Sequence, residues 1–316
     1  MRITVLAGGV GAARFLRGLR VAVPDADITV IGNTGDDFTP FGLHVCPDLD
    51  TVMYTLGGGI SEEQGWGRAG ESHAVLGELA AYGAGPDWFG LGDRDIATHI
   101  LRNQLLARGL PLSAVTRKLC ERWQPGVTLL PMSDDPVRTH VTVDLDGIEQ
   151  ELHFQEWWVR LHAGVPARKI EAVGAAQARP APGVLEALAG ADFVLFPPSN
   201  PVVSIGPILA VPGIADAVLA QTVVGVSPII GGAPVRGMAD ACLTAIGVPT
   251  TATAVAAHYG PRLLGGWLVD DQDKDAVDSP DLAGIEVRNR PLYMTDVAAS
   301  AEIASAAVDL ALAVRK

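Results

Sequence analysis

Residues 3–32 constrain the fold more than any other stretch of the chain. "ITVLA" (3–7) is a short apolar run that ends in the glycine turn "AGGVGAAR" (7–14). Phe15, Leu16, Leu19 and Val23 then recur at helical spacing before a second apolar run, "ITVIG" (28–32). Strand, tight turn, helix and strand in this order form a β-α-β unit, which closes as two parallel strands joined by a right-handed crossover. Two later runs, "ADFVLFPPSNP" (191–201) and "TVVGVSPIIGG" (222–232), read as buried strands ending in turn-rich loops. "GWLVDD" (266–271) reads as another strand, and an Ala-rich helix runs from about Asp296 to Val314. The expected class is α/β: a Rossmann-like, mostly parallel sheet with helices on both faces.

The middle of the chain has a different texture. Trp66, Trp88, Trp123, Trp157 and Trp158 lie between residues 60 and 170, leaving Trp267 as the only tryptophan outside that stretch. "DRDIATHILRNQLLARG" reads as a helix with Asp93 at its N-cap and Ile96, Ile100, Leu101 and Leu105 facing inward. "RTHVTVDLDGIEQELHF" alternates around Asp146-Gly147, a hairpin signal. The expected division is a nucleotide-binding core of residues 1–59 and 171–316, with 60–170 as a mostly helical insertion carrying a β-hairpin.

Charge and composition narrow the chemistry. A net charge of −13 argues against a partner bound through its phosphate backbone, so no nucleic acid is expected. Any phosphate must be held locally by backbone amides, a few arginines or a metal. Cys46, Cys120 and Cys242 are scattered without a CxxC spacing, which fits a reduced, cytoplasmic setting and neither zinc nor disulfides. The uncharged stretches 193–214 and 217–235 are cut by Pro197, Pro198, Pro201, Pro207 and Pro212 and by Pro228, Gly231, Gly232 and Pro234, so they read as buried strands and turns rather than membrane spans. The first residues run from a strand into a glycine turn and do not resemble a signal peptide.

Three loops carry phosphate-binding character. "AGGVGAAR" opens a helix and approximates the dinucleotide fingerprint through Gly9 and Gly11, but Arg14 occupies the position of the third glycine, which weighs against a NAD reading. "PPSNPVVSIGP" (197–207) offers Ser199, Asn200, Ser204 and Gly206, and "VSPIIGGAPVRG" (226–237) offers Ser227, Gly231, Gly232 and Arg236. Strand-end loops in open α/β sheets converge on one crevice. Behind strand two, "NTGDDFTPFGLHVCPDLD" (33–50) gathers Asp36, Asp37, Asp48 and Asp50, more carboxylates than a ribose needs. If "PDLD" is extended, Asp48 and Asp50 point the same way and call for a cation such as Mg²⁺. The bland reading makes Asp36 and Asp37 solvated turn residues and Asp48 a helix cap. "LLPMSDDPVRTH" (129–140) adds Ser133, Asp134 and Asp135, by itself a cap or turn signal, and His99, beside an apolar helix face, reads as structural. Trp157-Trp158 suits either a core or the stacking of a flat ring. No H-E-x-x-H pair or G-x-S-x-G elbow is present.

Taken together, "LAGGVGAARFL", "NTGDDF", "HVCPDLDTVMYTLGG", "LGDRDIATHILR", "LLPMSDDPV", "HFQEWW", "PPSNPVVSIGPILAVPGI" and "SPIIGGAPVRGMAD" resemble the CofD/FbiA family from residue 3 to about 300. These are 2-phospho-L-lactate or phosphoenolpyruvate transferases of deazaflavin coenzyme F(420) biosynthesis. "CERWQPG" and "FQEWWVR" are most similar to the actinobacterial branch, which implies a phosphoenolpyruvyl donor. The resemblance implies Mg²⁺-dependent transfer from a guanosine-diphosphate-activated three-carbon acid to the terminal ribityl hydroxyl of the deazaflavin Fo, with GMP released. It further implies that Asp50, with Asp48, is catalytic and that Asp50 touches the acceptor. The family often carries a basic residue where this chain has Gly90, a second acceptor contact. Nucleotide and phosphates are then expected at Gly8, Gly9, Val10, Gly11, Arg14 and Asn33 and at the two later loops. Ser133, Asp134 and Asp135 are expected near substrate, Asp36, Asp37, Asp48 and Asp50 near metal, and the protein is expected to be a homodimer. Two other classes share the β-α-β opening: a NAD(P)-dependent oxidoreductase and a nucleotide-sugar-binding regulatory protein.

Overall fold

The computed structural model describes residues 1–315. Its strands are β1 (Arg2–Ala7), β2 (Asp27–Gly32), β3 (Thr128–Pro131), β4 (Arg138–Leu145), β5 (Ile148–His153), β6 (Ala167–Val173), β7 (Phe193–Phe196), β8 (Val223–Val226), β9 (Ile229–Ile230), β10 (Ala233–Pro234), β11 (Gly266–Val269) and β12 (Glu286–Asn289). The helices that matter most for the site are α1 (Gly9–Ala22), α2 (Pro47–Leu56), α3 (Ala74–Ala81), α4 (Asp93–Ala107), α5 (Leu112–Trp123) and the C-terminal helix Val297–Ala313.

Seven strands form one sheet in the order β12-β11-β8-β7-β1-β2-β3, and every pairing in it is parallel. The expected Rossmann-like sheet is therefore present, covered on both faces. Successive residues of a strand point to opposite faces, so in β1 Ile3, Val5 and Ala7 pack with α1, α2, α5 and the C-terminal helix. Leu6 joins the other core, with Val184, Leu188 and Val255 from helices across the sheet. Asp296 caps the C-terminal helix, accepting the Ala299 N–H at 2.8 Å. Among the described residues, no helix is long and apolar enough to cross a membrane.

The middle region departs from expectation in four ways. Thr128–Pro131 joins the main sheet as edge strand β3 beside β2, so a boundary drawn at 60 and 170 cuts across the sheet. The expected hairpin, β4 and β5 with Asp146 and Gly147 at φ 56° and 81°, gains β6 as a third strand, giving the order β5-β4-β6. In α4, Ile96 is buried as expected, but Ile100 and Leu101 are 45% and 42% exposed. Thr98, His99 and Arg102 take the inward face instead. Asp93 is not the cap of its own helix: it accepts the Ser72 hydroxyl and the Ala74 and Val75 N–H groups and so caps the start of α3.

Candidate active site

Strand order reverses between β1 and β7, the position at which open α/β sheets take ligands at their carboxyl ends. A cavity of about 560 Å³ opens there, within the range of small-molecule sites. Gly8, Gly9, Val10, Gly11 and Arg14 line it from the β1–α1 turn, Ser199, Asn200 and Ser204 from the loop after β7, and Ser227 from the end of β8. The Ser199 hydroxyl donates to the Gly8 carbonyl at 2.9 Å and ties the first two loops together. Asn200 Oδ1 accepts the Val202 and Val203 N–H groups, and the Ser227 hydroxyl donates to the Ile229 carbonyl, so each loop is held from within. A Cβ on Gly11 would stand 2.3 Å from the Pro198 carbonyl oxygen, so only glycine lets these loops approach so closely. Arg14 stands at the fingerprint's third glycine, and the tight glycine contact of α1 lies one turn later, where a Cβ on Gly18 would meet the Ser300 carbonyl carbon of the C-terminal helix at 2.3 Å.

All four aspartates of the acidic stretch are buried, with 5–6% of their surface exposed, which rules out solvated turn residues. Two of them, Asp36 and Asp48, line the cavity. Pro47 begins α2, so "PDLD" is a first helical turn and not extended. Residues two apart on a helix do not share a face, and the expectation that Asp48 and Asp50 point the same way is corrected accordingly. Asp48 Oδ1 accepts the Gly9 N–H at 2.7 Å and its Oδ2 accepts Asn33 Nδ2 at 2.8 Å. It thus caps α1 rather than its own helix, and Asn33 acts through it. Burial pushes the Asp48 carboxyl up to about 6 against the lowering effect of the Asn33 and Gly9 hydrogen bonds. Burial raises Asp36 well above the usual carboxylate range, and the charges of Asp48 and Asp37 raise it further. Asp36 Oδ1 is buried without a hydrogen-bond partner. Two repelling carboxylates with an unpartnered oxygen on a cavity wall form a donor set of the kind Mg²⁺ takes, so these residues fit the metal that the resemblance implies.

Asp50 faces away from that wall, toward α4. Its Oδ1 accepts from the guanidinium of Arg102, which is itself only 2% exposed. The same guanidinium donates to the His44 carbonyl at 3.2 Å and to His99 Nδ1 at 2.9 Å. Arginine only donates, so Nδ1 is the acceptor nitrogen of His99 and the ring proton sits on Nε2, 3.4 Å from Asp95 Oδ1. The Tyr54 hydroxyl donates to that same Asp95 oxygen at 2.6 Å. Asp50 Oδ2 has no hydrogen-bond partner. Asp37 is bonded to His44 Nε2 at 3.1 Å, and burial raises its pKa while His44 opposes the rise. Asp37, His44 and Cys46 place one ligand atom each within 4.8 Å of one another. A nitrogen, sulfur and oxygen set suits a softer ion than Mg²⁺, and the Arg102 charge felt by both Asp37 and Cys46 opposes any cation there.

The cavity also has a cationic and aromatic lining. Arg14 and Arg236 both reach it, with Trp66, Phe154, Trp158 and Tyr293. Partial burial, and then the neighbouring Arg14 charge, lower the pKa of Arg236, whose guanidinium donates to the Gln64 carbonyl. Tyr293 and its neighbours Leu292, Met294 and Thr295, which follow β12, carried no signal in the sequence.

Several expected site residues lie elsewhere. Ser133 donates to the Arg179 carbonyl, Asp134 accepts the Ser113 N–H and hydroxyl at the start of α5, and Asp135 accepts the Arg179 N–H. These are loop tethers, and none lines the cavity. Gly206 follows the Asn200 turn in a short helix, and Gly231 and Gly232 make the β9–β10 turn, with the Gly231 N–H donating to Asp273 Oδ2. Gly90 sits in the loop before α4, next to an aromatic group in which Phe38 stacks on Trp88 and His153 and meets Phe89 edge-on.

The model of the 2-phospho-L-lactate transferase CofD family matches residues 3–301. The phosphoenolpyruvate transferase of Thermobifida fusca is 66% identical over 324 residues, covering 100% of this chain and 99% of that protein. That of Streptomyces coelicolor is 66% identical over 318 residues and all of both chains. The crystal structure of a UPF0052 family member from Bacillus halodurans shares the fold, with a TM-score of 0.62 at 17% identity, covering 97% of this chain and 99% of that one. The chain belongs to the CofD family of 2-phospho-L-lactate transferases.

Proposed function

We propose that this protein transfers a phosphoenolpyruvyl group from a guanosine-diphosphate-activated donor to the terminal hydroxyl of the deazaflavin Fo, a step of coenzyme F(420) biosynthesis. The observation that carries the reading is the charge pattern of one cavity. Asp36 and Asp48 repel each other and demand a cation, while Arg14 and Arg236 repel each other and demand an anion. A metal-bound diphosphate satisfies both.

In the proposed reaction the acceptor hydroxyl oxygen forms a bond to the donor's distal phosphorus. The phosphorus–oxygen bond to GMP breaks, GMP leaves with the bridging oxygen, and the hydroxyl proton passes to a nearby base. Such a transfer needs positioning and charge compensation more than covalent help from protein. The amides of Gly9 to Gly11 at the α1 N-terminus and the Ser199 and Ser204 loop cradle the diphosphate. Arg14 and Arg236 pair with its oxygens. Asp50, the family's acceptor-contact position, orients the hydroxyl. Asp36 and Asp48 would hold Mg²⁺, which when bound neutralises charge developing on the transferred and leaving phosphates. Trp66, Trp158 and Tyr293 offer flat apolar surface for guanine or deazaflavin. We further propose that the enzyme acts as a cytoplasmic homodimer, which light scattering checks.

The reading is tested by thermal shift. GDP or GMP with Mg²⁺ is expected to raise the melting temperature with the logarithm of ligand concentration, and NADP is expected to leave it unchanged. Stabilisation by NADP and not by guanine nucleotide would overturn the assignment.

A further inference from the structure

Among the described residues, the most heavily buried of the arginine, lysine, aspartate and glutamate side chains lies outside the cavity lining. Arg102, on α4, reaches three groups at once: Asp50 Oδ1 on α2, the His44 carbonyl in the loop between β2 and α2, and His99 Nδ1 one turn back on its own helix. Behind it, His99 faces Asp95, and Asp95 accepts the Tyr54 hydroxyl. Asp95, His99 and Arg102 follow one another at i, i+4 and i, i+3 spacing, so they form a stripe on one face of α4. The face of a helix that normally packs apolar side chains is here spent on a polar chain, and Ile100 and Leu101 are turned outward. A buried ion pair adds little to stability compared with apolar packing of the same volume. It does fix geometry, because a guanidinium offers its donors in a rigid plane and each of its three partners constrains that plane.

The consequence falls on Asp50. With Oδ1 engaged by Arg102, the carboxylate cannot rotate freely, and Oδ2 is held buried, 3.9 Å from His99 Nδ1 and with no hydrogen-bond partner. A buried unpartnered carboxylate oxygen is costly unless a ligand supplies its donor. We propose that Arg102, braced by His99 and Asp95, is a positioning residue that fixes the orientation of the Asp50 carboxylate through one of its oxygens. This rests on the reading of Asp50 as the acceptor contact. Through the His44 carbonyl the same guanidinium also ties α4 to the acidic loop bearing Asp36 and Asp37, so acceptor and metal sides of the site share one anchor.

The test uses the full chain with Fo, activated donor and Mg²⁺. Arg102→Lys keeps the charge but cannot reach three partners, and His99→Ala removes the brace while leaving the ion pair intact. For each, a loss of about 10–100-fold in kcat/KM for the acceptor is expected, since a small misplacement of a reacting group has that effect. The donor KM and the thermal shift given by GDP with Mg²⁺ are expected to stay within about twofold of wild type. A merely structural Arg102 would move melting temperature and leave acceptor and donor parameters alike. Asp50→Asn is assayed beside them. If it retains turnover, the reading of Asp50 itself falls. If it is inactive while Arg102→Lys and His99→Ala turn over the acceptor at wild-type kcat/KM, the positioning proposal alone is overturned. Because Arg102→Lys can fail to fold, the His99→Ala result decides by itself in that case.

Discussion

Asp48→Asn probes the acidic wall through the pH dependence of stability. In the ligand-free protein Asp48 titrates at about 6 against an ordinary 3.8, mainly because it is buried. A carboxyl whose folded pKa is raised contributes stability that is fully present below about pH 4 and is lost as pH climbs through about 6. The difference corresponds to about 3 kcal/mol at pH 8. Asparagine carries no such penalty, and its oxygen still accepts the Gly9 N–H. Its amide, however, would face the Asn33 amide, donor against donor, at a cost of about 1 kcal/mol. The ligand-free variant is therefore expected to be about 2 kcal/mol more stable than wild type at pH 8 and about equally stable at pH 4.5, where wild type has lost only about 1 kcal/mol of that contribution. For a chain of this length that is a melting shift of roughly +4 °C at pH 8 and about none at pH 4.5, read by scanning fluorimetry. Added Mg²⁺ is expected to stabilise wild type increasingly as pH rises through about 6, because the ion needs ionised ligands, and to leave the variant unmoved. An equal loss of stability at both pH values, with the Mg²⁺ response intact, would show that Asp48 is only a helix cap and would refute the reasoning.

The same logic gives Asp50→Asn the opposite sign. Removing this carboxylate strands Arg102 as an uncompensated buried charge, so the variant is expected to lose about 3–5 kcal/mol along with about 10²–10⁴-fold in turnover; a raised melting temperature would contradict the ion pair. Gly11→Ala drives a Cβ to 2.3 Å from the Pro198 carbonyl oxygen. It is expected to cost about 1–3 kcal/mol and the guanine-nucleotide thermal shift, and an unchanged denaturant midpoint would refute the close contact. Fo is expected to quench tryptophan emission, since Trp66 and Trp158 line the cavity, and emission unchanged at saturating Fo would place the ring elsewhere.

What could be read in advance follows from what periodicity can carry. The β-α-β opening and the later buried strands were legible because apolar runs bounded by glycine and proline mark parallel strands without tertiary information. The cavity loops were legible because the ends of such strands converge, and of the clustered aspartates Asp36 and Asp48 line the cavity. The conformation of "PDLD" was misread although the signal was there: proline at the first helical position with acids in the first turn marks a helix start. Arg102 escaped notice, and His99 read as structural, because an apolar pattern cannot reveal a helix that buries its polar face. Ile100 and Leu101, the residues that pattern pointed inward, are the exposed ones. Ser133, Asp134 and Asp135, a cap or turn signal by themselves, were expected near substrate from the family resemblance, yet their partners, Ser113 and Arg179, are distant in sequence and make them tethers. Tyr293 and the residues around it reach the cavity only because β12 is the last strand of the sheet, which no local pattern announces.

The central claim is transfer itself, and mass spectrometry of a single reaction tests it most directly. Purified protein is mixed with Fo, Mg²⁺ and guanosine-diphosphate-activated phosphoenolpyruvate, and products are followed over time. The account expects GMP and the phosphoenolpyruvyl ester of Fo to accumulate in equal amounts, and neither to form with Asp48→Asn. GMP released without a modified Fo, or an Fo product formed equally well by Asp48→Asn, would contradict it.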